Sequence, residues 1–217
     1  MASTLAPSST AVEQGLTARS LGYRYPDGSD ALIDLNVTLQ AGQVLCLVGD
    51  NGAGKSTLLK LCAGRLEPAS GTLVWHAGPS DVGYAAQDPE LDADMTGEEH
   101  LTLWCALNRV PRARRRERLD AVLLTFRLSS FVQERVRSYS GGMKRRLHLA
   151  LSVLHAPGLW LLDEPTTGLD TETRAALWRE TRARAERGGL VIVASHDAQA
   201  IERHTDAVLR LEAGRRV

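Results

Sequence analysis

Residues 49 to 57 read GDNGAGKST, which fits the spacing G-x-x-x-x-G-K-[ST] with Gly49, Gly54, Lys55 and Ser56 in register. The chemistry open to such a run is phosphate binding. The apolar stretch Val44 to Val48 enters it and a helix is expected to leave it. Backbone N–H groups of Asn51, Gly52, Ala53 and Gly54 can then turn inward on an anion at the positive end of that helix. Lys55 is placed to reach the β- and γ-phosphates of a nucleoside triphosphate. The Ser56 hydroxyl is placed to ligate a Mg²⁺ bridging them, and Thr57 to donate on the α-phosphate side.

A second acidic element completes this chemistry. Residues 159 to 164 read LWLLDE, an apolar strand ending in adjacent carboxylates at the edge where α/β sheets bind ligands. Asp163 would hold Mg²⁺ through its water shell and Glu164 would polarise an attacking water. Neighbouring side chains on a strand face opposite ways, so both carboxylates serve one site only if the strand ends there. A further apolar run, VIVASHD at 191 to 197, delivers His196 to a strand end where it could meet the γ-phosphate. The other histidines, His76, His100, His148, His155 and His204, lack such a placement and read as ordinary surface or helix residues.

The elements that must position these groups are legible around them. Between Leu16 and Leu39, β-friendly stretches flank the turn Pro26-Asp27-Gly28-Ser29, predicting an antiparallel hairpin. Two short strands are expected between Gly71 and Ala85. Thr96 and Glu99 fit a capping box opening a helix to about Asn108, and Pro111 suits the first turn of a second helix. A helix follows Ser140 to about His155, then a strand, a helix from Thr171 to Arg187 and a buried strand over Leu190–Ala194. Strand and helix alternate, which predicts an α/β fold: a P-loop NTPase core with a mostly parallel sheet, an N-terminal antiparallel β subdomain and an inserted helical subdomain. The reading is a disordered tail over residues 1–14 and one domain over 15–217, with the helical insert at about 90–155.

Composition removes several classes of function. Lys and Arg number 26, as do Asp and Glu, so no net basic field favours a nucleic acid. The longest run without a charge, Leu147 to Leu162, is 16 residues and interrupted by His148, His155 and Pro157. That falls short of the roughly 18 apolar residues a membrane span needs, and nothing near the N-terminus resembles a secretion signal. Cys46, Cys62 and Cys105 share no ligand spacing and read as reduced core thiols. Trp75, Trp104, Trp160 and Trp178 fall within predicted elements and read as packing residues.

Residues 139 to 143, YSGGM, open a helix with Ser140, Gly141 and Gly142, and Gly142 lies 21 residues before Asp163. This resembles the signature motif of the ABC ATPases, and the likeness runs from Gly15 to Gly214 with every landmark in order. The resemblance implies an adenine stacked on Tyr25. It places Gln87 in the Q-loop, contacting Mg²⁺ and the membrane partner, Asp170 in the D-loop, and His196 as the switch histidine. It implies two subunits, a homodimer by expectation, pairing head to tail, so that each ATP lies between one phosphate loop and the signature of the other chain. A Ser-Gly-Gly turn at a helix start offers N–H groups and a hydroxyl to such an anion.

The run from Tyr139 to Leu154 looks most like the ATPases of bacterial drug, polysaccharide and lipid-linked exporters, whose permease is a separate transmembrane chain. The expected protein is therefore a cytoplasmic ATPase subunit, peripheral on the inner face of the cell membrane. A soluble ABC ATPase of the iron–sulfur-assembly type is the alternative. Two features depart from the family: Tyr139 and Met143 stand where many members have Leu and Gln, and a thioether cannot replace an amide's hydrogen bonds. The arginines 112, 114, 115, 116 and 118 read as a solvated face, and Lys144, Arg145 and Arg146 as charges offsetting phosphate.

Overall fold

A computed structural model describes residues 15–76 and 82–217, so the expected tail over 1–14 lies outside the described residues. In chain order the elements are β1 (Gly15–Arg24), β2 (Asp30–Gln40), β3 (Val44–Val48), α1 (Lys55–Cys62), β4 (Ser70–Trp75) and β5 (Val82–Ala85). Next come α2 (Gly97–Leu107), α3 (Arg112–Thr125), α4 (Gly141–Leu154), β6 (Leu159–Asp163), α5 (Thr171–Glu186), β7 (Leu190–Ala194), α6 (Ala198–His204), β8 (Ala207–Glu212) and β9 (Arg215–Arg216).

The expected hairpin forms, and β4 joins it as a third antiparallel strand in the order β2-β1-β4. The main sheet runs β5-β6-β7-β3-β8-β9, parallel from β5 to β8, with β9 turning back on β8. Alternation along the buried strands sorts the core onto two faces. Trp160, Leu162, Val191 and Val193 pack with Leu101, Phe126, Leu147 and Leu177 from α2 to α5. Leu159, Leu161, Leu190 and Ile192 pack with α1 and with Leu21, Leu32 and Leu35 of the antiparallel sheet. Trp160 is fully buried, and its indole N–H donates to Ser152 Oγ at 2.9 Å. The three cysteines are free and buried, and burial pushes the Cys46 and Cys62 thiols up to about 12.

The helix starts follow local chemistry. Thr96 Oγ1 accepts from Glu99 N and Glu99 Oε2 accepts from Thr96 N, the reciprocal box that the spacing predicts. Pro111 proves to be the cap residue of α3 rather than its first turn, because its extended ψ of 134° lies outside the helix. Beyond His196, α6, β8 and β9 add to the expected set. β8 extends the sheet beside β3, with its alternate residues Leu209 and Leu211 buried.

His148 on α4 lies among Tyr84, Trp104, Arg65, Asp88 and Glu90. Burial, helped by Arg145 and Arg65, pushes its pKa down to about 4. The folded state therefore binds a proton less readily than the unfolded chain between about pH 6.5 and 4, so stability is lost as pH falls through that window. Replacing His148 with Met should remove about 1.4 kcal/mol of the stability that the wild type loses between about pH 7.5 and about pH 5.5. Urea unfolding at the two pH values measures it. Equal losses in both proteins would show that His148 is not the group that titrates.

Candidate nucleotide site

The phosphate loop joins β3 to α1 at the carboxyl edge of the parallel strands. Its backbone is braced from behind. Gly54 has φ 102°, and a Cβ there would overlap the Ala31 carbonyl and crowd Leu32 of β2. Gly49 is braced in the same way against the Leu211 carbonyl of β8. Ala53 N donates to Asp50 O within the loop, and Gly214 N donates to Ala53 O from the β8–β9 turn. Lys55 is 7% exposed, and its ammonium donates to Gly49 O at 2.6 Å and Asp50 O at 3.0 Å. The charge is thus held at the mouth of the loop.

A cleft of about 740 Å³ opens over this loop. Asn51, Gly52, Gly54, Lys55, Ser56 and Thr57 form its floor. Asp163 and Glu164 reach it from the end of β6, Gln87 from beyond β5, His196 from beyond β7, and Tyr25 from the β1–β2 turn. Gly49 and Ala53 belong to the loop without lining the cleft. The Tyr25 hydroxyl shares a hydrogen bond with Thr57 Oγ1 at 2.9 Å, and its ring meets Tyr23 edge to face, with centroids 5.0 Å apart.

Both carboxylates serve the same space because β6 stops at Asp163. Glu164 takes φ 45°, uncommon for a residue with a long side chain, and its N–H donates to Ala194 O at 3.0 Å. This turn at the strand end swings Glu164 into the cleft beside Asp163. Glu164 Oε1 lies 3.0 Å from His196 Nε2, yet no donor is aligned on that oxygen. Burial raises the Glu164 carboxyl above its usual range, with the charges of His196 and Lys55 pulling the other way. A partly desolvated carboxylate with a free lone pair is suited to accept a proton from water.

Ser140, Gly141 and Gly142 are not in the cleft. They open α4 at the surface, where Gly142 is pressed against the Gly168 carbonyl, leaving no room for a side chain. Ser140 Oγ caps Met143 N at 3.2 Å, and Met143 Sδ accepts from Ser140 N at 3.4 Å. The thioether thus takes over the acceptor half of what an amide would do, as a weak acceptor, and the donor half is lost. Asp170 caps α5, with Oδ1 accepting from Thr173 N at 2.8 Å.

The expectation for Arg145 is overturned. Arg145 does not join Lys144 and Arg146 as a charge offsetting phosphate. It is 4% exposed, and its guanidinium donates to the carbonyls of Ala86, Gln87, Asp163 and Glu164. The signal was present in helical spacing: position 145 falls on the stripe of Leu149 and Ser152, both buried. Among the other arginines, 112, 114 and 116 are exposed as expected, while Arg115 and Arg118 turn back onto the carbonyls of Val110 and Leu154.

The chain resembles proteins of known identity over most of its length. It is 35% identical to a Nod factor export ATP-binding protein I of Rhizobium johnstonii, over 88% of this chain and 64% of that protein. It is 34% identical to a daunorubicin resistance ATP-binding protein of Streptomyces coeruleorubidus, over 94% of this chain and 67% of that one. The chain spans slightly under two thirds of the length of the Nod factor export relatives that it matches. A solved ATP-binding subunit of an ABC transporter superposes with a TM-score of 0.87 at 28% identity, covering 93% of this chain and 88% of that one. The family described as ABC transporter matches residues 32–167, more than half of the chain, and the chain belongs to the ABC transporter family.

Proposed function

We propose that this chain is the ATP-hydrolysing subunit of an ABC exporter, acting at the cytoplasmic face of the cell membrane on a separate permease. The observation that carries the reading is the convergence of Lys55, Ser56, Gln87, Asp163, Glu164 and His196 on one cleft, while the Ser140–Gly142 turn stands apart from it. ATP binds with its phosphates on the N–H groups of residues 51 to 54 and on Lys55, and with its base against Tyr25. The Ser56 hydroxyl, the Asp163 carboxylate and the Gln87 amide give an all-oxygen donor set of the kind that suits Mg²⁺ with several waters retained. Bound there, the ion would neutralise charge on the β- and γ-phosphates.

The protein's own groups divide the remaining work. Glu164 takes the proton of the attacking water and holds that water in line with the γ-phosphate. His196 lies over the same phosphate and donates to it. A second copy, turned head to tail, brings its Ser140 hydroxyl and the N–H groups of its Gly141 and Gly142 to the exposed side of the nucleotide. Closing on ATP and reopening after hydrolysis then moves the permease. The export and resistance functions in the names of the two relatives favour an exporter over a soluble remodelling ATPase.

Among the described residues no helix is long and apolar enough to cross a membrane, and on this reading the spanning part is the permease. The test is purification of the tagged chain from detergent-solubilised native membranes, with mass spectrometry of what accompanies it. A stoichiometric polytopic membrane protein is the expected result. Recovery solely with a soluble macromolecule would overturn the transporter reading in favour of the remodelling one.

A further inference from the structure

We propose that Arg145 is a positioning residue that ties the signature helix to the two chain segments facing the reacting phosphate. Strands β5 and β6 run side by side and their last paired residues are Ala85 and Leu162. Immediately beyond, the chain continues as Ala86-Gln87 on one side and Asp163-Glu164 on the other. Arg145 occupies the place of the next rungs. Nη1 donates to Ala86 O and, at 2.9 Å, to Gln87 O; Nη2 donates to Asp163 O and, at 2.6 Å, to Glu164 O. A planar guanidinium presents its donors in a fixed fork, so it sets the separation of the two segments as no flexible ammonium could.

The partners are unusual for a buried cation. All four are carbonyls, and the acidic side chains of Asp163, Asp88 and Glu164 offset the charge without a direct ion pair. A carboxylate partner would have satisfied a purely electrostatic need; four carbonyls fix backbone. The backbone fixed is that of Gln87 and of Glu164, whose φ of 45° turns its carboxyl into the cleft. Arg145 also sits five residues beyond Ser140 on α4, an element that begins at the signature turn. A displacement of that turn by a nucleotide held on the partner copy is therefore transmitted, through one guanidinium, to the proton acceptor of this copy's own site. Arg145 links the two nucleotides of a dimer.

This inference rests on the roles proposed above for Glu164, Gln87 and the signature turn. The experiment compares Arg145→Met and Arg145→Lys with wild type in the full chain, measuring kcat for ATP, the affinity for ATP by calorimetry, and Tm. Methionine should lower kcat by about 30-fold or more, with ATP affinity kept within about threefold, because the groups that bind phosphate are untouched and the hydrolytic ones are displaced. Lysine, able to reach some of the four carbonyls, should restore part of that kcat. A brick that merely stabilises the fold would lower Tm and leave the kcat of the folded fraction unchanged, and that result overturns the proposal, as does a fall in affinity that matches the fall in kcat. If the Met variant does not fold, the Lys variant decides by the same split between kcat and affinity. Glu164→Gln, run in parallel, separates the two failures: loss of turnover there with a fully active Arg145→Met sinks the positioning role alone, whereas turnover that survives Glu164→Gln sinks the assignment of the base.

Discussion

Glu164→Gln should cut ATP turnover by about 10²- to 10⁴-fold while leaving ATP affinity within a few-fold of wild type. The substitution keeps the size of the side chain and the backbone turn at φ 45°, and it removes the one property that the site exploits, a carboxylate lone pair without an aligned donor. An amide cannot take a proton from water, so the chemical step is lost. Phosphate contacts come from the loop and Lys55, so binding is not. The variant should also accumulate as a dimer in the presence of ATP, since closure occurs and the hydrolysis that ends it does not. Steady-state kinetics, calorimetry and size-exclusion chromatography read the three consequences. Wild-type turnover in this variant would transfer the role of base to another group.

Lys55→Ala fails at the opposite step. The ammonium sits at the mouth of the loop with two hydrogen bonds to loop carbonyls, Gly49 O and Asp50 O, which it can exchange for phosphate oxygens. Charge-assisted contacts of this kind are worth about 1.5–3 kcal/mol each, so affinity for ATP should fall by about 10²- to 10³-fold. The fold should survive, because water can reach the two carbonyls that the side chain leaves. Calorimetry with ATP and a thermal melt without it separate these effects. An unchanged affinity would show that the phosphates lie elsewhere.

The chemistry was more legible than the architecture that holds it. The phosphate loop is local: its glycines, lysine and flanking strand and helix are contiguous, so a pattern over residues 44 to 62 announces it, although the residues that brace it lie in β2 and β8. The pairing of Asp163 with Glu164 in one cleft also followed, since a strand that ends between two residues turns the second. Arg145 departs from expectation because a run of three basic residues beside the signature suggests charges that offset phosphate, whereas its partners are backbone carbonyls, which no side-chain motif announces. Elements α6, β8 and β9 carried weak signals for a related reason. β8 buries one face alone and its place beside β3 is decided by pairing across more than 150 residues, while β9 is two residues long and pairs back on β8. The consequences of Met143 were half legible: the lost donor follows from its chemistry, whereas the retained sulfur acceptor needed the geometry of the cap.

The bracing of residues 49 to 54 has a thermodynamic meaning. A loop held by β2 at Gly54, by β8 at Gly49 and by its own lysine is already in the shape that an anion requires, so a nucleotide pays little entropy of ordering on arrival. Preorganisation of this kind favours ATP and ADP alike, because the diphosphate portion common to both meets the same rigid surface. By the roles proposed above, discrimination between fuel and product resides in the groups assigned to the third phosphate, and those have the opposite character: Gln87 and His196 are exposed side chains on chain segments that follow strand ends. On that proposal the site combines a rigid grip with a mobile sensor, and the division would let the loss of one phosphate be felt as a change of shape while the nucleotide is still held.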